Sequence, residues 1–101
     1  MEPIIEIVLN NIMYNNLYDQ HIKTEFMNTI NRITYSEKII NQYKTSMDFI
    51  LFHNTINEEI KFLSSKKKYF YKNLNKDIKY IVNDYIKQII SNYKTLDISI
   101  N

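Results

Sequence analysis

The sequence predicts an all-α fold, a small antiparallel bundle of four to five helices that forms a single domain over residues 1–101. The chain contains no glycine and its one proline is Pro3, so little in its composition interrupts a helix. Apolar side chains recur three and four residues apart through most of the chain, the spacing that places them on one helix face. The polar segments between these stretches are short, and short connections favour antiparallel neighbours.

The first part of the chain predicts two helices and the start of a third. Pro3 suits the first turn of a helix, where its missing N–H group costs nothing, and this helix should run to about Tyr18. The second helix has one apolar face, formed by Ile22, Phe26, Ile30 and Ile33. Thr34 and Glu37 match the capping-box pattern, which predicts that a third helix begins at Thr34.

The middle of the chain allows two interpretations. The third apolar face consists of Ile40, Tyr43, Met47 and Ile50, and the stripe then shifts to Phe52, Ile56, Ile60 and Leu63. A second capping-box match, Thr55 with Glu58, lies at this shift. Either the helix breaks near Asn54, or one long helix is apolar on two sides around residues 49–52.

The last helix has the clearest pattern. Asn75 is a suitable N-cap, and apolar residues follow at helical spacing for about four turns: Ile78, Ile81, Val82, Tyr85, Ile86, Ile89, Ile90 and Tyr93. Further on, Leu96, Ile98 and Ile100 alternate with polar residues, which is the period of a strand. Residues 94–101 are therefore predicted as a tail, either flexible or extended.

Composition indicates the origin and the compartment of the protein. Isoleucine, asparagine, lysine and tyrosine make up 54 of the 101 residues, and their codons are poor in G and C. We expect an AT-rich genome, and a large DNA virus, a protist or an extrachromosomal element would each fit. The absence of cysteine is compatible with a reducing compartment. The first residues lack a basic region, and no apolar run approaches the ~20 residues of a membrane span, so an intracellular location in cytoplasm or nucleus is expected.

Enzyme signatures are sparse, and we expect a non-enzymatic protein with no cofactor and no small-molecule substrate. Without glycine the chain has no phosphate-binding loop, dinucleotide fingerprint or nucleophile elbow. His21 and His53 are isolated from any paired ligand spacing, so no metal site is predicted. Glu58 and Glu59 are adjacent, and on a helix they point about 100° apart, which is unsuitable for a carboxylate dyad.

The preferred function is a helical protein–protein interaction module, meaning an adaptor, an accessory subunit or a virus-type host-binding protein. The apolar band of the last helix widens toward its end, which indicates either a central helix or one that also contacts another chain. The second possibility predicts a protein partner or a homo-oligomer. The proposed partner-binding residues are Val82, Ile86, Ile89, Ile90 and Tyr93.

The alternative function is binding of nucleic acid by the basic segment from Ser64 to Lys79. The residues proposed for this are Lys66, Lys67, Lys68, Tyr69, Lys72, Lys76 and Lys79. If one helix ran continuously from about Lys66, several of these lysines would share a face, flanked by Tyr69 and Tyr80, as a surface that contacts phosphates and stacks bases requires. Alternatively, residues 66–68 lie just past the end of the preceding helix and form a solvated connector.

Overall fold

The protein is a bundle of four α-helices in a computed structural model that describes residues 3–43 and 49–100. The helices are α1 (Pro3–Tyr14), α2 (Gln20–Tyr43), α3 (Phe49–Asn73) and α4 (Lys76–Ile100), and no strand occurs within the described ranges. The all-α prediction is confirmed. The contact between α3 and α4 is the most extensive, and α4 also contacts α1 and α2. Helices α2 and α4 each contact all three other helices.

Helix α1 ends at Tyr14 and not near Tyr18, because asparagine and aspartate side chains shape the following turn. The Asn15 Oδ1 atom accepts a hydrogen bond from the Leu17 N–H group at 2.9 Å, which replaces the next helical turn. Asp19 Oδ1 then accepts from the Ile22 N–H group at 2.9 Å, so Asp19 is the N-cap of α2. The chain therefore turns within five residues and starts α2 at Gln20.

The predicted helix start at Thr34 is wrong, because α2 continues through this residue. The Thr34 hydroxyl donates to the carbonyl of Asn31 at 2.8 Å, a contact made inside a helix and not at its beginning. Ile33, Ser36 and Ile40 are all buried at helical spacing on both sides of Thr34. A break at Thr34 would remove this continuous stripe from the core.

Helix α3 runs without interruption from Phe49 to Asn73, so the predicted break near Asn54 is wrong. The alternative of one long helix that carries both the third and the fourth face is not confirmed, because α2 ends at Tyr43 and residues 44–48 lie outside the described residues. Ile56 and Leu63 are fully buried and keep the helix facing the core. The structure does not describe every side chain of the predicted third and fourth faces. Those outside the described residues are Tyr43, Met47, Ile50 and Phe52.

Both predicted placements of residues 66–68 are wrong. They lie neither at the start of the last helix nor beyond the end of the preceding one, since α3 continues past them to Asn73. A turn at Leu74 and Asn75 then leads into α4. The Asn75 carbonyl accepts from the Lys79 N–H group at 3.0 Å, so the predicted start of the last helix is correct.

The prediction of a flexible or extended tail over residues 94–101 is wrong as well, because α4 continues to Ile100. Leu96 packs against the core one turn beyond the buried Tyr93, so the core-facing stripe of α4 extends to the first residue of the strand-like alternation. Asn101 lies outside the described residues.

The residues predicted to bind a partner belong to the core of the chain itself. Val82, Ile86, Ile89 and Tyr93 are at most 3% exposed, and Ile90 is partly buried against the same cluster. The wide apolar band of the last helix reflects its contacts with all three other helices. These side chains are therefore unavailable as a surface in the folded chain.

Candidate functional site

An open groove lies between α3 and α4 and has a volume of about 540 Å³. We call it the α3–α4 groove; it is lined by Lys67, Lys68, Tyr71, Lys72, Tyr80, Asn83, Asp84 and Lys87. On each helix the lining residues recur three and four positions apart, so they share a face. The volume lies within the ~300–1,000 Å³ typical of ligand sites.

The groove is strongly basic. Its lining contains four lysines and one aspartate, which gives a net charge of +3, although the whole chain carries only +2. Three of the lysines come from α3 and Lys87 from α4, so the two helices contribute cations from both sides. The lysines together give this concave surface a positive electrostatic potential. An anionic ligand lowers that potential and is therefore attracted to the groove.

Two tyrosines stand at one end of the groove. The rings of Tyr71 and Tyr80 meet edge to face, with centroids 6.0 Å apart, and are 51% and 55% exposed. A hydrogen bond with the Tyr71 hydroxyl raises the pKa of Tyr80 above its ordinary value, so the two phenols are in direct contact. The Lys79 ammonium lies 4.5 Å from the centroid of Tyr71 and 5.2 Å from that of Tyr80. The rings thus present π surfaces beside the lysines.

Asn83 is the one buried polar side chain in the groove lining. It is 9% exposed, and neither its amide nitrogen nor its amide oxygen has a hydrogen-bond partner among the described residues. A buried amide without partners costs roughly 1–3 kcal/mol in a folded protein. Asn83 therefore holds an unused donor and an unused acceptor at the groove.

The structure brings together only part of the predicted nucleic-acid site. Lys67, Lys68 and Lys72 line the groove, and Lys79 lies beside it against the two tyrosine rings. Lys76 is not among the lining residues.

Lys66 and Tyr69 belong to a different side of α3. The Tyr69 hydroxyl donates to Glu25 Oε1 at 2.9 Å, and its ring packs edge to face on Phe26. Burial and the Glu25 carboxylate raise the pKa of Tyr69 to about 12. The Lys66 ammonium lies 5.3 Å from the Tyr69 ring. Tyr69 therefore joins α3 to α2, and neither Tyr69 nor Lys66 lines the groove.

Sequence reasoning left Tyr71, Asn83, Asp84 and Lys87 out of the proposed site. Tyr71 lies within the basic segment but is not one of the residues proposed from the sequence, and the other three lie on the helix whose apolar band alone supported a prediction. A usable signal was present, because Tyr80, Asn83, Asp84 and Lys87 follow the i, i+3, i+4, i+7 pattern with polar residues. Such a polar stripe is usually a solvated face, and only the position of α3 makes it a groove.

A second polar cluster lies inside the bundle, where α2, α3 and α4 meet. The Arg32 guanidinium donates to Glu59 Oε1 at 2.6 Å and lies 4.6 Å from the centroid of the Phe62 ring. The Ser36 hydroxyl donates to Glu59 Oε2 at 2.8 Å, and the Tyr93 hydroxyl donates to the Ser36 carbonyl. Burial raises the pKa of Tyr93 to about 12. These bonds satisfy a buried carboxylate, and we assign the cluster to stability.

Comparison with known proteins adds no functional assignment. No known protein family matches the chain, and neither a curated protein nor a solved structure shows significant similarity to it. Among the described residues, no helix is long and apolar enough to cross a membrane. Within the same ranges, no group of three or more histidine, aspartate or glutamate side chains is placed to hold a metal ion. The argument for function therefore depends on the α3–α4 groove.

Proposed function

We propose that this protein binds single-stranded nucleic acid in the α3–α4 groove, as a non-enzymatic, intracellular accessory protein. The observation that carries the proposal is the position of two half-exposed tyrosine rings next to four lysines in one concave surface. Lysines neutralise backbone phosphates, and exposed tyrosine rings stack on bases of any sequence.

The single-stranded form is preferred over a duplex because of the tyrosines. In a duplex the bases stack on each other, so their faces are closed to protein side chains. Tyr71 and Tyr80 are half exposed, so an unpaired base can stack on their rings, whereas a base inside a duplex cannot. The cavity also has the size of a small-ligand site, which suits one or two nucleotides with flanking phosphates on the lysines.

The test is fluorescence anisotropy with a labelled single strand of about twelve nucleotides, compared with the matching duplex. We expect binding that weakens between about 50 and 200 mM salt, with a slope of log K against log salt near −2 to −3 for three or four phosphate contacts. The duplex should bind more weakly than the single strand. Absence of salt-dependent binding would refute the proposal.

A matched pair of variants assigns the binding to the groove. The double variant Lys68→Glu with Lys72→Glu reverses two lining charges, and Lys38→Glu with Lys94→Glu makes the same change of net charge at exposed positions elsewhere. We expect the first pair to abolish binding and the second to weaken it only slightly. Equal losses in both would show that net charge alone attracts the ligand.

Self-association is a second candidate function, favoured by a different surface. Ile4, Ile7 and Tyr14 form an exposed apolar stripe on α1, and their side chains are 45%, 58% and 77% exposed. The stripe carries no charge, so a second copy of the chain can cover it without bringing like charges together. This surface, and not the buried band of α4, now supports the predicted interaction module.

Light scattering coupled to size exclusion tests this second candidate. We expect a species near twice 12.3 kDa that the variant Ile7→Asp converts to a folded monomer. A monomer at all concentrations would refute self-association. Asn28→Asp, which adds the same charge at an exposed position on α2, away from the stripe, is the control.

A further inference from the structure

We propose that the α3–α4 groove binds the edge of a base through Asn83 and, through Asp84, favours the bases whose amino group is cytosine N4 or adenine N6. This inference rests on the proposed nucleic-acid binding and specifies its ligand. The two residues are neighbours on α4, and both line the groove. Each supplies an oxygen that accepts a hydrogen bond.

The first argument is the unused hydrogen-bonding capacity of Asn83. Its amide nitrogen and oxygen are buried, and neither has a partner among the described residues. An amide of this kind gains more from a ligand than a solvated amide does, because it gives up no bond to water when the ligand arrives. Asparagine presents a donor and an acceptor side by side, which matches the edge of a base.

The second argument is the position of the one carboxylate. Asp84 is exposed on the α4 side, whereas three of the four lysines lie on α3. A phosphate is repelled by Asp84 and attracted to Lys67, Lys68 and Lys72, so the backbone should follow α3. The base then lies toward α4, against Asn83 and Asp84.

Asn83 lines the groove, but its amide atoms are covered in the unliganded chain. Tyr80 and Lys87 lie three residues before and four residues after Asn83 on the same face of α4, and both are exposed. Exposed side chains change rotamer within nanoseconds, and contact with a base requires that neighbouring side chains move and uncover the amide.

The chemistry of the acceptors favours the amino-bearing bases. Cytosine N4 and adenine N6 carry N–H donors, which bond to a carboxylate or amide oxygen. Uracil presents a carbonyl oxygen at the position where cytosine has its amino group. That oxygen would face the carboxylate oxygens of Asp84, and the two negatively polarised groups would repel each other.

Oligocytidylate and oligouridylate of equal length test the inference. Both bases have the same pyrimidine ring, and they differ mainly at position 4, where cytosine has an amino group and uracil a carbonyl group. We expect the wild-type protein to bind the labelled cytidylate about tenfold more tightly than the uridylate, at the lower end of the discrimination typical of such contacts. Asn83→Ala should weaken binding of both oligonucleotides, because the amide pairs with the edge of either base. Circular dichroism confirms that each variant keeps its helical content.

Asp84→Asn separates recognition from a structural role. Removing the negative charge should tighten binding of oligouridylate, because repulsion is lost, while the ratio between the two ligands falls. Loss of affinity for both ligands with an unchanged ratio would assign Asp84 to structure and overturn the inference.

The inference and the proposed function fail in different ways. Equal binding of both oligonucleotides by the wild-type protein, with normal salt dependence, would overturn the base preference and leave the proposed function standing. Tighter binding of oligouridylate would do the same. No binding of either oligonucleotide would overturn both.

Discussion

Tyr93 and Ser36 join α4 to α2 across 57 positions of sequence: the Tyr93 hydroxyl donates to the Ser36 carbonyl, and the two hydroxyl oxygens lie 3.3 Å apart. Both residues are fully buried. The Ser36 hydroxyl also contacts the Glu59 carboxylate, so the pair connects three helices. Because each polar atom depends on the others, we expect this cluster to govern the stability of the bundle.

Stability should fall as pH rises from about 10 to about 12, because Tyr93 holds its proton in the folded state. The folded pKa is about 12, and the unfolded value is 10.0. In this window the folded chain binds more protons than the unfolded chain, so the free energy of unfolding falls with pH, by at most ~1.4 kcal/mol per pH unit. Urea unfolding at several pH values measures the slope.

Two variants assign this pH dependence. Tyr93→Phe should flatten the profile above pH 10 and lower stability at neutral pH, because the bond to Ser36 is lost. Tyr14→Phe, at a residue 77% exposed, is the control. Tyr69, whose pKa is also about 12, contributes to the remaining slope. An unchanged profile in Tyr93→Phe contradicts the assignment.

Glu59→Gln should destabilise the protein by about 2 kcal/mol. The substitution removes the charge that pairs with Arg32 and leaves the guanidinium beside a neutral amide. The loss should be smaller than the ~3–5 kcal/mol of fully buried pairs, because the Arg32 side chain is 40% exposed.

The adjacent residue supplies the control for this measurement. Glu58 pairs with Lys61 at 3.9 Å, and both side chains are 78% exposed. Glu58→Gln should therefore change stability by less than ~0.5 kcal/mol in the same urea titration. Equal effects at the two positions would show that the interior pair adds nothing.

Thr34→Ala and Asp19→Ala should change stability in opposite directions. Thr34 lies inside α2, so alanine, the better helix former, should raise stability by up to ~0.5 kcal/mol. Asp19 caps α2, and its loss should cost about 1 kcal/mol. Thermal unfolding of both variants measures the difference. A clear loss in Thr34→Ala would mean that a helix does begin there.

Tyr71→Ala should weaken single-strand binding about tenfold, whereas Tyr71→Phe should retain it, if the ring stacks on a base. The tyrosine is 51% exposed, so either substitution should leave the core intact. Anisotropy with the strand used for the lysine variants gives both affinities. A loss in Tyr71→Phe as large as in Tyr71→Ala would assign the effect to the hydroxyl.

Helical periodicity predicted the class of fold because burial repeats with the helix. Phe26, Ile30 and Ile33 were assigned to one face, and all three are buried. The same apolar stripe continues past Thr34, so the capping-box match there does not mark a helix start. A pattern of only four residues also occurs by chance inside helices. A capping pattern marks a helix start only where the apolar stripe also stops.

The candidate site was harder to predict because it belongs to two helices. The sequence argument treated the basic segment as one continuous helix. In the structure, the turn at Leu74 and Asn75 divides the segment between two antiparallel helices. Lys72 and Lys87 are fifteen positions apart and line the same groove. The role of Asn83 depends on burial by α3, which no periodicity in α4 alone reveals.

Lys79 places an internal cation against the faces of Tyr71 and Tyr80, so the aromatic end of the groove is already occupied. Binding of a base is therefore an exchange reaction, in which a planar ring takes the place of an ammonium group. The displaced ammonium needs a counterion, and the phosphate of the same ligand supplies it. A neutral nucleoside displaces the ammonium group but supplies no negative charge to pair with it. The groove should therefore bind nucleotides more tightly than nucleosides.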